Sequence, residues 1–142
     1  MFRNCTKLTE APKLLATTLD NGCYHKMFEG CTSLTKTPLL IANKLASNCY
    51  DGMFKDCTNL EEVSELPVFK LYPECYKEMF KGCTKLVNPP KLESMSLATS
   101  CYRNMFEECT SLVTPPELPA IYLTANCYFA MFKDCTSLET AP

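Results

Sequence analysis

Cysteine is the residue type in this chain whose chemistry asks first for an explanation. A thiolate can act as a nucleophile, as a soft metal ligand or as half of a disulfide. The chain carries eleven cysteines among 142 residues, and all of them fall in two columns with a spacing of 26 residues. Cys23, Cys49, Cys75, Cys101 and Cys127 form one column, and Cys5, Cys31, Cys57, Cys83, Cys109 and Cys135 form the other. The C-x2-C pairs that suit tetrahedral zinc are absent from the sequence, so no metal centre is expected. Nucleophilic catalysis needs a neighbouring base, and the one histidine, His25, lies opposite the cysteine side of the local pattern. It reads as a solvated surface residue. Four glycines form no phosphate-binding loop. No catalytic, cofactor-binding or metal-binding residue is therefore expected, and the chain reads as a non-enzyme. Asn4-Cys5-Thr6 matches a glycosylation sequon, but Thr6 belongs to a repeat column and the match reads as chance.

The elements that position these columns follow from the period. Met-Phe recurs at Met1, Met27, Met53, Met79, Met105 and Met131 with no insertion or deletion. This gives one repeat domain over 1–142, made of five units starting at 1, 27, 53, 79 and 105 and a partial unit over 131–142. A strict period of this size is the signature of a solenoid, whose units bury their apolar faces only against their neighbours. Across the junction of the first and second units Cys23, Tyr24, Met27, Phe28 and Cys31 stand at i, i+1, i+4, i+5 and i+8, the pattern of one side of a short amphipathic helix. The helix would end at Asn4, Gly30, Asp56, Gly82 and Asp134, residue types that tolerate a left-handed backbone, with Glu108 the exception in that column. The tyrosines that follow the first cysteine column read as core rings with the hydroxyl at a wet edge.

On such a helix Cys23 and Cys31 would lie ~12 Å apart, and equivalent residues of neighbouring helices near ~8–10 Å, both beyond a disulfide's reach of ~7 Å. Buried free thiols are the preferred reading. After the helix, leucines at Leu34, Leu40 and Leu45 and their equivalents point into the core, with a proline column at Pro12, Pro38, Pro90, Pro116 and Pro142 between them. The sequence thus predicts a short parallel strand that stops at the proline, which cannot donate to a ladder. The expected fold is an α/β solenoid, a right-handed leucine-rich-repeat-like coil with one short strand or extended segment and one short helix in each unit.

A formal net charge of −2 with mixed lysine and glutamate argues against nucleic acid or an anionic membrane as partner. No apolar run approaches the ~18 residues of a spanning helix, and no leader sequence is evident. What varies between units is more informative. Glu61, Glu62 and Glu65 of the third unit should stack beside Lys36 of the unit before and Lys85 and Lys91 of the unit after, at ~5 Å. The stripe is either charge compensation on a solvated face or a contact patch for a protein partner. Phe69, Tyr72, Ile121, Tyr122 and Phe129 are large apolar residues in otherwise polar columns, either gap-fillers or an exposed patch.

A phenylalanine followed by Gly-Cys-Thr-Ser-Leu over 30–34, together with Leu118-Pro119-Ala120, resembles leucine-rich repeats of the BspA-like bacterial type. Those units are shorter and commonly have Ala-Phe and Ile-Pro where this chain has Met-Phe and a longer proline segment. The resemblance implies strands on one face and short helices on the other, in extracellular or cell-surface bacterial proteins that bind host or matrix proteins. It carries over no ligand residues. Two functions are expected on these grounds: a non-catalytic protein-binding or adhesion module, or a structural spacer that self-associates end to end. The sequence starts within the helical pattern and stops within an extended segment, which reads as a piece of a longer chain whose terminal units fray or associate head to tail.

Overall fold

In the computed structural model, which describes residues 1–67 and 70–142, the segment expected to be a helix is a run of consecutive tight turns. Among the described residues there is no helix and no continuous strand. The α/β leucine-rich-repeat solenoid with one helix in each unit is therefore corrected. The reason lies in the backbone. Positive φ recurs every four residues, at Gly22, Lys26 and Gly30 (65°, 51° and 72°), and an α-helix admits none. Every later unit repeats this, as at Asn48, Gly52 and Asp56 and again at Asn126, Ala130 and Asp134. Glu108, which the sequence set apart from its column, has φ 64° like the rest.

Within the turn segments, hydrogen bonding alternates with residue parity. Odd-numbered amides close local turns, as in Met27 N–H to Tyr24 O at 3.1 Å and Cys31 N–H to Phe28 O at 3.0 Å. Even-numbered amides donate to the next unit, as in Tyr24 to Cys49 O at 3.0 Å, Lys26 to Asp51 O at 2.9 Å and Phe28 to Met53 O at 2.9 Å. Main-chain groups are thus satisfied half within a coil and half between coils, which removes the need for a helix. The turn segment also explains why the sequence pattern deceives. Side chains point inward in pairs with a period of four, and over two turns this departs from the 3.6 of a helix by only ~40° per turn.

Because the ladder joins coils directly, the stacking distance is that of hydrogen-bonded chains and not of packed helices. Phe2, Phe28, Phe54, Phe80, Phe106 and Phe132 form one continuous stack, with ring centroids 5.5 Å apart at Phe2 and Phe28 and 5.9 Å at Phe106 and Phe132. Tyr24, Tyr50, Tyr76, Tyr102 and Tyr128 form a second, 5.6 Å apart at Tyr50 and Tyr76. Offset aromatic pairs of this kind contribute about 0.5–1.5 kcal/mol each beyond burial. The Tyr76 hydroxyl donates to Pro67 O at 3.1 Å, so this tyrosine ends on the main chain.

The core is otherwise the leucine and cysteine columns. Leu34, Leu60, Leu86 and Leu112 are fully buried, and Leu14, Leu40, Leu66 and Leu92 are buried behind them. The expected parallel strand reduces to isolated bridges, Leu14 to Leu40, Thr18 to Lys44, Lys36 to Glu62 and Ser96 to Tyr122. Pro12 and Pro38, two residues before the Leu14–Leu40 bridge, have no amide hydrogen to extend that pairing. The cysteines are free, and nine are buried, but Cys5 and Cys23 are exposed. The inter-helix distance offered against bridges between units is overturned by the closer stacking. In the second column each buried sulfur has an acceptor instead: Cys31, Cys57, Cys83, Cys109 and Cys135 Sγ lie 3.0–3.2 Å from the carbonyl of Phe2, Phe28, Phe54, Phe80 and Phe106.

Candidate functional site

Two surfaces flank this core, and they differ in how far the repeat controls them. On the turn face the outward side chains are tied into the ladder. Lys81 and Lys133 both reach Glu107, at 2.7 and 2.8 Å, and Asn104 Nδ2 donates to the same carboxylate at 2.7 Å. Burial pushes the Glu107 carboxyl up, but the bonds from Lys133, Lys81 and Asn104 outweigh it and hold it down at about 2. Arg3 pairs with Glu29 at 2.9 Å and Lys55 with Glu78 at 2.7 Å. Glu107, Glu108 and Asp134 bring their carboxylates within metal-ligating distance of one another, but the two ammonium groups already on Glu107 make this an ion-pair network. This network is not among the residues singled out from sequence. Its signal was a column occupied only by charged residues of both signs, Arg3, Glu29, Lys55, Lys81, Glu107 and Lys133. His25 is half exposed, with Nε2 3.7 Å from Asp51.

On the extended face the ladder lapses. Between residues 88–93 and 114–119 no main-chain hydrogen bond joins the fourth unit to the fifth among the described residues. Five of the residues there are prolines, Pro89, Pro90, Pro115, Pro116 and Pro119, and proline has no amide hydrogen to donate. The coils instead part into an open groove of about 670 Å³. Leu92 and the proline rings line it, with Lys91, Glu93 and Glu117 at its rim. It continues into a cleft of about 370 Å³ lined by Glu61, Glu62, Glu65, Pro90 and Lys91.

The structure brings four of the six residues singled out from sequence to this cleft: Glu61, Glu62, Glu65 and Lys91. Lys36 belongs to a neighbouring depression with Thr9, Glu10 and Pro38, and reaches across to Glu62 at 2.7 Å. Lys85 approaches Glu61 at 3.8 Å. Charge compensation is thus realised for Glu61 and Glu62, at highly exposed pairs of small energetic weight. Glu65, Glu93, Glu117 and Lys91 make no ion pair within 4 Å among the described residues, although Glu65, Lys91 and Glu93 line one small recess.

Compared with known proteins, the chain matches no family model, no curated protein and no solved structure. No family is assigned, and the leucine-rich-repeat fold that the resemblance implied is the one the turn ladder replaces. Of the other apolar residues expected to be gap-fillers or a patch, Ile121, Tyr122 and Phe129 are exposed, with the Arg103 guanidinium 5.0 Å from the Phe129 ring centroid. Tyr72 is half-buried, with Lys70 Nζ 5.6 Å from its ring. Phe69 lies outside the described residues. A second apolar depression, with Leu15, Leu39 and Ile41 exposed around Pro12 and Pro38, occupies the first two units on the extended face.

Sequence reasoning found the glutamates and missed the groove beside them. The missing signal was Asn88-Pro89-Pro90 above Thr114-Pro115-Pro116, two double prolines one period apart. Stacked prolines cannot hydrogen-bond to each other, so a gap in the ladder was implied there.

Proposed function

We propose that this chain is a non-catalytic protein-binding module, which holds a variable extended face on a repetitive scaffold and takes a partner segment in the proline-lined groove. An extracellular or cell-surface setting belongs to the same reading. The observation that carries it is the contrast between the two faces. The turn face repeats its hydrogen bonds in every unit and commits its charges to one another, so little remains there for a partner. The groove over 88–93 and 114–119 has main chain that is unpaired among the described residues, rigid apolar rings and side chains particular to its units. Its volume lies within the ~300–1,000 Å³ of ligand-binding clefts, and rigid walls reduce the ordering cost of binding.

The test is an unbiased selection from a displayed random-peptide library on the immobilised whole chain, with amide exchange used to locate each enriched peptide. Protection over 61–66, 88–93 and 114–119 is expected. Lack of enrichment, or protection confined to the turn face, would overturn the reading.

A further inference from the structure

Resting on that reading, we propose that the groove's occupant is an extended peptide segment that inserts an arginine. The first ground is the balance of donors and acceptors. The twelve residues over 88–93 and 114–119 bring twelve carbonyls, and five of them, being prolines, bring no amide hydrogen. No main-chain hydrogen bond links the two segments among the described residues, so acceptors exceed donors along the groove. A ligand that fits must arrive rich in donors.

The second ground is charge. Glu93 and Glu117 stand at the rim of the groove and Glu65 at its continuation, against a single ammonium, Lys91. Glu65, Lys91 and Glu117 occupy one column of the repeat, so Lys91 sits between two carboxylates with a third, Glu93, two residues along. A cation is attracted there and a phosphate or nucleic acid is repelled.

The third ground is shape. The walls are rigid, apolar proline rings, Pro89 and Pro119 partly exposed and Pro90, Pro115 and Pro116 buried, with a buried leucine, Leu92, among them. A guanidinium is planar, weakly hydrated and carries five donors in a fixed fork, so it can rest against apolar walls while its edge bonds carboxylates and carbonyls. An ammonium is a compact, strongly hydrated charge and loses more hydration against apolar walls. The groove exceeds the volume of one side chain, which leaves room for the flanking residues of an extended chain to use the unpaired main-chain groups.

The experiment measures fluorescence polarisation of the whole chain with three labelled peptides of alternating alanine and proline, which differ only in a central arginine, lysine or citrulline. Citrulline keeps the planar shape and loses the charge. The arginine peptide is expected to bind at least about tenfold more tightly than the citrulline peptide and more tightly than the lysine one, with affinity falling as salt rises. Glu93→Lys with Glu117→Lys should weaken the arginine peptide about tenfold or more, and Glu93→Gln with Glu117→Gln less so. Both positions are exposed, so the urea midpoint of each variant should stay near that of the parent. Equal binding of the arginine and citrulline peptides, or no response to the double reversal, would overturn the inference. Library peptides that map to the groove but lack arginine would sink this inference alone, whereas none mapping there would sink the protein-binding reading beneath it.

Discussion

Cys57 Sγ lies 3.1 Å from the carbonyl oxygen of Phe28, which also accepts the amide hydrogen of Cys31 at 3.0 Å. One carbonyl thus closes a turn within its own coil and receives a thiol from the next. The same pairing recurs at Cys83 with Phe54, Cys109 with Phe80 and Cys135 with Phe106. A small apolar residue with a weak donor at its tip suits this position, and cysteine is the natural side chain that combines the two.

Truncation should expose that double role. Cys83→Ala removes a fully buried sulfur and leaves a small void, which should cost about 1–2 kcal/mol. Cys5→Ala, at an exposed member of the same column, should stay within about 0.5 kcal/mol. Urea melts of the two variants check this, and equal losses would mean that the thiol ladder does not contribute to stability.

Thiol reactivity should divide in the same way. Burial pushes the thiols of Cys57 up to about 12 and of Cys49 and Cys101 up to about 11, so little thiolate is present at neutral pH. In the folded protein an alkylating reagent should label Cys5 and Cys23 first, and the nine buried cysteines only as the chain opens. In denaturant without reductant, mass measurement should show all eleven labelled. Products short of labels in pairs would show that neighbouring members of a column form disulfides.

Acid should act through Glu107. Its folded-state carboxyl is held down at about 2, below the ~4.3 of a free glutamate, so its contribution to stability is present above the unfolded value and is lost as pH falls from there toward 2. Glu107→Gln should flatten that part of the acid limb. At neutral pH it should cost about 1.5–3 kcal/mol, because two lysines lose a charged acceptor. Urea melts from neutral to acid pH test the sign, and an unchanged acid limb in the variant would remove Glu107 from the account.

How much of this was legible in the sequence depended on whether a rule was local or lateral. The inward positions of Phe28, Met27, Cys31 and Leu34 followed from the apolar pattern alone, and all four are buried. The element that carries them did not follow, because a period of four and a period of 3.6 differ too little over nine residues. Lys26, with φ 51°, gave no warning either, since lysine is an ordinary helix former and its left-handed backbone is imposed by the bond from its amide to Asp51 O in the next coil. Glu61, Glu62 and Glu65 could be found as departures from the repeat. The groove next to them required knowing that coils stack through main-chain bonds, for only then do two prolines one period apart open a gap.

The sign of one substitution separates the turn ladder from a helix. Ala130 sits in the middle of the last turn segment with φ 49°, a left-handed backbone that strains any residue with a Cβ by roughly 1–2 kcal/mol. Were the segment helical, Ala130→Gly would destabilise it by about 1 kcal/mol, since glycine is the poorer helix former. In the turn ladder glycine relieves the strain, and part of that gain is offset by the greater freedom of the unfolded chain. The expected result is a neutral to stabilising change of up to about 1 kcal/mol, read from urea melts. Far-ultraviolet circular dichroism of the parent should at the same time lack the paired minima of a helix. Alanine is the informative residue because it brings no side-chain partner to lose. Lys26→Gly should move in the same direction by less, since Lys26 Nζ lies 4.0 Å from Glu29. A clear loss of stability at Ala130, together with a helical spectrum, would restore the helix that the sequence pattern predicts.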